Sequence, residues 1–301
     1  MITAVTVQAH AKVNLYLDVV DRRDDGYHEL VTVFQAVSLH DTVTVALSKQ
    51  MEISVEGLDE EAVPKNSTNL AWKAAQLVLP DQPVAIHIEK ALPTAGGMAG
   101  GSADAAAVLL GGNRLRTEPL TTGELDELAG QLGSDVPFVL HGGTMLARGR
   151  GEKLTNVDSH GTYRWVFATA TEGMSTAQVF RAYDELTASS GPRATGAVHS
   201  PYDVLEALPT GDPHRLAAAV YNGLQAATLR LRPELQQLIE VGVGAGALTG
   251  FVSGSGPTVA FLCTDEAMQA HVAHAVTASH MAAAAYPATS PAFGAHIVAE
   301  H

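Results

Sequence analysis

The sequence predicts an α+β protein, and three observations carry that expectation. The first 56 residues read almost wholly as strands: TAVTVQA, KVNLYLDVV, LVTVFQAVSL, TVTVAL and EISVEG are rich in Val, Thr and Ile. Amphipathic helical segments follow, but without the steady strand–helix alternation of a doubly wound sheet. An apolar content of 46% in 301 residues is enough for two lobes, each with a core.

NSTNLAWKAAQLVL (66–79) has Asn or Ser/Thr capping and apolar positions at 70, 74, 77 and 78, which predicts a helix. VAIHIEK (84–90) reads as a strand that runs straight into PTAGGMAGGSADAAA (93–107). Residues 102–116 read as a helix opened by Ser102 with Asp104 in its first turn, and 121–132 as another, followed by LGSDVPFVLHGGT. The polar, irregular stretch 151–163 sets the expected boundary between a lobe at 1–153 and a lobe at 154–301. The second half is expected to hold a strand at 164–170 and helices near 175–187, 213–230, 233–242 and 265–278. A glycine turn in FVSGSGPTVAF (251–261) and strand-like runs at 283–287 and 293–299 complete it, while 188–200, ASSGPRATGAVHS, reads as a flexible loop.

A formal charge of −14 argues against nucleic acid or an anionic membrane as a general partner. All six lysines fall within the first 153 residues, so an anion would have to be held by a local concentration of cations and amides. No run approaches the roughly 18 apolar residues of a membrane span, and the opening MITAVTVQAH shows no secretory pattern. The single cysteine, Cys263, excludes an internal disulfide and suits a reducing cytoplasm; its apolar run TVAFLC marks a buried strand position. Among thirteen histidines, His271 and His274 have i, i+3 spacing but no further ligand at metal spacing, so a solvated helix face is expected. Tyr16, Trp72 and Met145 read as packing residues.

The glycine loop asks for an explanation, because glycines cost conformational entropy unless their backbone freedom is used. A strand, then glycines, then a helix N-terminus is an anion-binding arrangement: backbone N–H groups point at the ligand and the helix dipole favours negative charge. It is not a Walker A loop, since Gly-Lys occurs nowhere, and Met98 breaks a G-x-G-x-x-G reading. HRD and DFG kinase signatures are absent too. Ser102 can cap the helix or offer its hydroxyl to a metal ion.

Six segments in order, AKVNLYL, DGYHEL, NLAWKAA, LPTAGGMAGGSADAA, LGSDVPF and SGSGPT, resemble the GHMP family of small-molecule kinases across residues 11–258. The resemblance implies a two-lobed α+β fold with the active site in the cleft between lobes. It implies ATP with Mg2+, held by Pro93, Thr94, Ala95, Gly96, Gly97, Met98, Ala99, Gly100, Gly101, Ser102 and Ala103, with Asn69 at the adenine and Ser102 as a metal ligand. Asp135 would take the proton of the substrate hydroxyl, with Lys12 beside it. DGYHEL points within the family to a cytidine-diphosphate-linked methylerythritol as substrate, in the non-mevalonate route to isoprenoids. Tyr27, His28 and Phe180 would then stack and read the cytosine, and Asn14 and Thr176 would lie near the methylerythritol and its phosphates. No obligate protein partner is expected. The family loop usually reads P-x-G-A-G-L-G-G-G-S-S; here Ala95, Gly96, Met98, Ala99 and Ala103 differ. Alanine at 99 is unstrained only if its φ is negative. A kinase of homoserine, mevalonate or a sugar, and a non-catalytic metabolite sensor, are the rival readings. The base-reading motif argues against the first, and the intact Lys12 and Asp135 against the second.

Overall fold

Two sheets and the helices packed on them form the protein, in a computed structural model that describes residues 2–24, 26–94, 96–190 and 199–301. The chain opens with β1 (Ala4–Arg22) and β2 (His28–Leu47), an antiparallel pair. Each of these strands merges two runs that read separately in the sequence, because neither contains the Gly or Pro that would end it. Bulges between His10 and Lys12, and between Asn14 and Tyr16, bend the ladder instead.

β3 (Glu52–Gly57) pairs in parallel with β4 (Val84–Lys90), which pairs with β2. Between them in sequence lies α1 (Leu70–Val78), which begins at Leu70 because Asn69 is its cap: the Asn69 Oδ1 accepts from the Ala71 amide. α2 (Gly100–Leu115), α3 (Thr122–Leu132) and α4 (Val136–His141) follow, and α3 opens on a capping box of Thr121 and Glu124. β5 (Thr144–Gly149) and β6 (Lys153–Asn156) extend the sheet from β2.

The second half supplies β7 (Tyr163–Thr169), α5 (Thr176–Ser190), α6 (Pro201–Ala207), α7 (Pro213–Ala219), β8 (Tyr221–Asn222) and α8 (Gln225–Leu231). It continues with α9 (Glu234–Gly244), β9 (Thr249–Val252), β10 (Val259–Cys263), α10 (Glu266–Ala278), β11 (Ala284–Ser290) and β12 (His296–Glu300). Four of these strands form a second sheet in the order β11-β7-β10-β9. The helix expected over 213–230 is instead two helices. Asn222 interrupts it, donating from Nδ2 to the carbonyls of Val252 and Gly254 and accepting from the Leu224 amide. α5 runs on to Ser190, past the start of the loop expected at 188–200; residues 191–198 lie outside the described residues.

β12 does not stay with the second sheet. It pairs antiparallel with β1, Val5 facing Glu300, so the eight-stranded sheet runs β12-β1-β2-β4-β3 along its main path. The largest apolar cluster likewise draws on both halves, with Val13, Ile88 and Phe138 alongside Trp165, Phe251 and Leu262. Where β12 meets β1, the buried His10 ring stacks on His296 at 5.5 Å and tilts against His40 at 5.2 Å. Burial, and then the two neighbouring imidazoles, push the His10 pKa down to about 4. Cys263, Tyr16 and Met145 are buried as expected, and His271 and His274 are exposed. No helix among the described residues is long and apolar enough to cross a membrane.

Candidate active site

The glycine loop is held in place before any ligand is considered. The Lys12 amide donates to the Met98 carbonyl, which ties the loop to β1. Gly97, at φ +75°, lies so close under the turn 253–256 that a Cβ would collide with the Ser253 carbonyl oxygen, so only glycine fits. Ala99 has φ +64°, the left-handed conformation in which an alanine is strained; the chain carries that strain where α2 begins. Behind the loop, Lys90 at the end of β4 bonds to Asp41 and, at 3.0 Å, to Asp104 in α2. Asp41 also accepts from the amides of Ala91 and Leu92. Burial raises the Asp104 pKa; burial also lowers that of Lys90, but the two carboxylates outweigh it and the ammonium is stabilised.

In front of the loop opens a cleft of about 940 Å³. Gly96, Gly97, Ala99, Gly100, Gly101 and Ser102 line one wall, with the Gly100–Ser102 turn being the N-terminus of α2. Lys12 and Asn14, two residues apart on β1 and so on one face of the strand, line the same wall: Lys12 Nζ donates to Asn14 Oδ1 at 2.7 Å, and Asn14 Nδ2 donates to Thr32 Oγ1 at 2.9 Å. Asp135 stands at the N-cap position of α4 yet makes no capping hydrogen bond. Its carboxylate reaches toward Lys12 instead, Oδ2 lying 3.9 Å from Nζ. Lys12 is only 5% exposed, and burial pulls its pKa below the ordinary lysine value against the opposing charge of Asp135.

The opposite end is aromatic and is built from both halves of the chain. His28, the first residue of β2, stacks on Phe180 of α5 with ring centroids 4.6 Å apart. Tyr27 is 56% exposed, and the Arg150 guanidinium lies 5.1 Å over its ring. Thr176, at the start of α5, hydrogen-bonds Ser255 at 2.9 Å, which joins α5 to the second glycine turn.

Five residues expected at the ATP site do not line this cleft. Met98 and Ala103 point into the core, so Ala103 faces away from any ligand. The Asn69 side chain is used in capping α1 and in donating to the Pro64 carbonyl. Pro93 and Thr94 sit on the approach to the loop, with the Thr94 amide donating to Asp59. Ala95 lies outside the described residues.

The N-terminal domain model of the GHMP kinases matches residues 69–143, and their C-terminal model matches residues 204–283. The chain belongs to the GHMP kinase family. Among curated relatives, the 4-diphosphocytidyl-2-C-methyl-D-erythritol kinase of Rhodococcus jostii (strain RHA1) is 48% identical over 298 residues, spanning 98% of this chain and 95% of that protein. The protein of the same name from Corynebacterium diphtheriae (strain ATCC 700971 / NCTC 13129 / Biotype gravis) is 46% identical, spanning 98% of each chain. The crystal structure of a 4-(cytidine 5'-diphospho)-2C-methyl-D-erythritol kinase matches with a TM-score of 0.77 at 33% identity, covering 94% of this chain and 98% of that one. A homoserine kinase from Cytophaga hutchinsonii ATCC 33406 shares the fold at 17% identity, with a TM-score of 0.74 and coverage of 99% and 98%.

Several cleft residues of this GHMP kinase escape sequence reasoning. Arg22 and Arg150 line the cleft, yet they sit in polar stretches that read as solvated surface. Asp184 binds the His28 ring, and the available signal was its place four residues after Phe180, on the same face of α5. Ser255 was visible only as part of a glycine turn.

Proposed function

We propose that this GHMP kinase transfers the γ-phosphoryl group of ATP to the 2-hydroxyl of 4-diphosphocytidyl-2-C-methyl-D-erythritol. The observation that carries the proposal is one cleft with two chemically different ends, a lysine–carboxylate pair beside a glycine-lined helix N-terminus and an aromatic end drawn from both halves. The full-length identity to kinases of that name supplies the choice of substrate.

The amides of Gly96–Ser102 and the N-terminus of α2 receive the triphosphate, because the exposed N–H groups and the helix dipole both favour an anion. Asp135 accepts the hydroxyl proton as the oxygen attacks phosphorus, and the Lys12 ammonium neutralises charge on the transferring group. Asn14, held by Thr32, fixes where the Lys12 ammonium lies. Thr176 and Asn14 flank the methylerythritol, and the cytosine lies against Tyr27, His28 and Phe180. Mg2+ fits this donor set: the Ser102 hydroxyl opens onto the cleft, and the remaining ligands would be phosphate oxygens and water, as this ion prefers. Bound there, the ion would neutralise charge on the β- and γ-phosphates. Both halves of the chain, 1–153 and 154–301, line the cleft, although β8 and β12 of the second half complete the first sheet; the enzyme works in the cytoplasm, where ATP is at hand.

The test is an ADP-release assay over a panel of alcohols that includes the cytidylyl compound, homoserine, mevalonate and simple sugars. Turnover confined to the cytidylyl compound is expected. Faster turnover of homoserine or mevalonate would refute the substrate assignment.

A further inference from the structure

Asp184 lies four residues beyond Phe180 on α5, so both side chains project from one helix face toward the same target. That target is His28. Phe180 covers the face of the imidazole at 4.6 Å with the planes 17° apart, Tyr183 meets it edge-on at 6.3 Å, and Asp184 Oδ1 lies 2.7 Å from Nε2. The histidine side chain is 9% exposed, and Asp184 is 33% exposed at the cleft wall. Three contacts from one helix thus fix the position, tilt and hydrogen bonding of a ring on the opposite half of the chain.

We propose that Asp184 is a positioning residue for base specificity: it holds His28 as the Nε2–H tautomer and leaves Nδ1 as a hydrogen-bond acceptor. This rests on the reading that His28 meets the base of a cytidine-linked substrate. The argument is one of valence. A carboxylate oxygen facing a ring nitrogen at 2.7 Å accepts, so the hydrogen must be on Nε2. In neutral imidazole the other nitrogen then carries the lone pair. No described residue hydrogen-bonds Nδ1, so the lone pair is available to the cleft. Cytosine presents an exocyclic amine, a donor that satisfies it. Uracil presents a carbonyl oxygen at the same position, and two acceptors facing each other are both left unpaired. Had an amide stood at 184, its NH2 group could donate to Nε2 and select the opposite tautomer, which pairs with uracil. The carboxylate removes that option.

The experiment has two arms. In the first, nitrogen-isotope-labelled histidine is incorporated and the tautomer of His28 is read by NMR on the wild-type protein, with His28→Gln used for assignment. A ring with Nε2–H and an unprotonated Nδ1 is expected; a proton on Nδ1, in the other tautomer or in an imidazolium, would overturn the proposal. In the second, kcat and KM are measured for the cytidine- and uridine-linked substrates in wild type and in Asp184→Asn. The ratio of the two kcat/KM values should fall by about tenfold or more in the variant, mainly through KM for the cytidine compound, with kcat changed only a few-fold. A wild type that discriminates, beside a variant that discriminates equally well, would overturn the role of Asp184 and leave the substrate assignment standing. A wild type that uses both substrates equally would refute the base reading and this inference with it.

Discussion

Gly101→Ala is expected to move two measurements in opposite directions. Gly101 lies in the first turn of α2 with its backbone open to the cleft, and an added methyl would come no nearer than 3.9 Å to the closest neighbouring side chain, Leu70. Inside the folded protein the substitution therefore meets no obstacle. Alanine is favoured over glycine in a helix, so the fold should gain about 0.5–1 kcal/mol. If the triphosphate packs on the bare Cα, the same methyl holds it away. An intrusion of that size costs about 1–3 kcal/mol, which is roughly a 5- to 150-fold increase in Kd for ATP. Denaturant unfolding gives the first quantity and calorimetry with a non-hydrolysable ATP analogue gives the second. Gly97→Ala is the contrast: its left-handed backbone and collision with Ser253 should cost about 2 kcal/mol or more and damage fold and binding together. A Gly101→Ala protein that is more stable and binds ATP as well as wild type would refute the claim that phosphates lie against this turn.

Three further outcomes follow from other parts of the molecule. Asp135→Asn should lower turnover by about 10²- to 10⁴-fold while ATP affinity by calorimetry stays near wild type, because the amide keeps the shape and cannot take the proton. Ala99→Gly should raise stability by about 0.5–1 kcal/mol, relief of left-handed strain exceeding the added freedom of the unfolded chain; a shifted denaturant midpoint with unchanged slope is the readout. For His10, the folded pKa of about 4 lies below the unfolded value of 6.5, so between them the unfolded chain binds a proton that the folded one refuses. Its contribution is complete above pH 6.5 and lost as the pH falls toward 4, up to about 3 kcal/mol, and His10→Gln should flatten unfolding free energy against pH over that window.

The parts of the site that were legible in the sequence are those where backbone chemistry restricts the residue type. Glycines between a strand and a helix announce a loop that must approach something closely; Gly97 does so against the Ser253 carbonyl, whereas Gly101 has room beside it. Lys12 and Asn14 were visible as polar residues in an apolar strand, two apart and so on one face; the bulges that flank them were not legible, because no sequence pattern specifies a bulge. Asn69 shows the opposite case: its helix-start position was readable, and the cap absorbs its side chain. The break between α7 and α8 coincides with the turn signal Asn222-Gly223, but the bonds that hold Asn222 there, to carbonyls roughly 30 residues further along the chain, were not legible. At Ala99 the residue type alone left the sign of φ open, and the packed loop sets it at +64°.

The return of β12 to β1 bears on how the protein is made. Lys12, the glycine loop and Asp135 all leave the ribosome in the first half of translation, yet the Val5–Gln8 stretch of β1 lacks its partner on one side until residues 296–300 have been synthesised. Trp165, Phe251 and Leu262, which complete the same apolar cluster as Val13 and Ile88, also arrive late. For most of its elongation the nascent chain carries its reactive residues on a sheet with an unpaired edge and an incomplete core, the state in which β-rich chains stick to one another. A gene divided at 153/154 would accordingly yield an aggregating fragment in place of a detachable ATP-binding module.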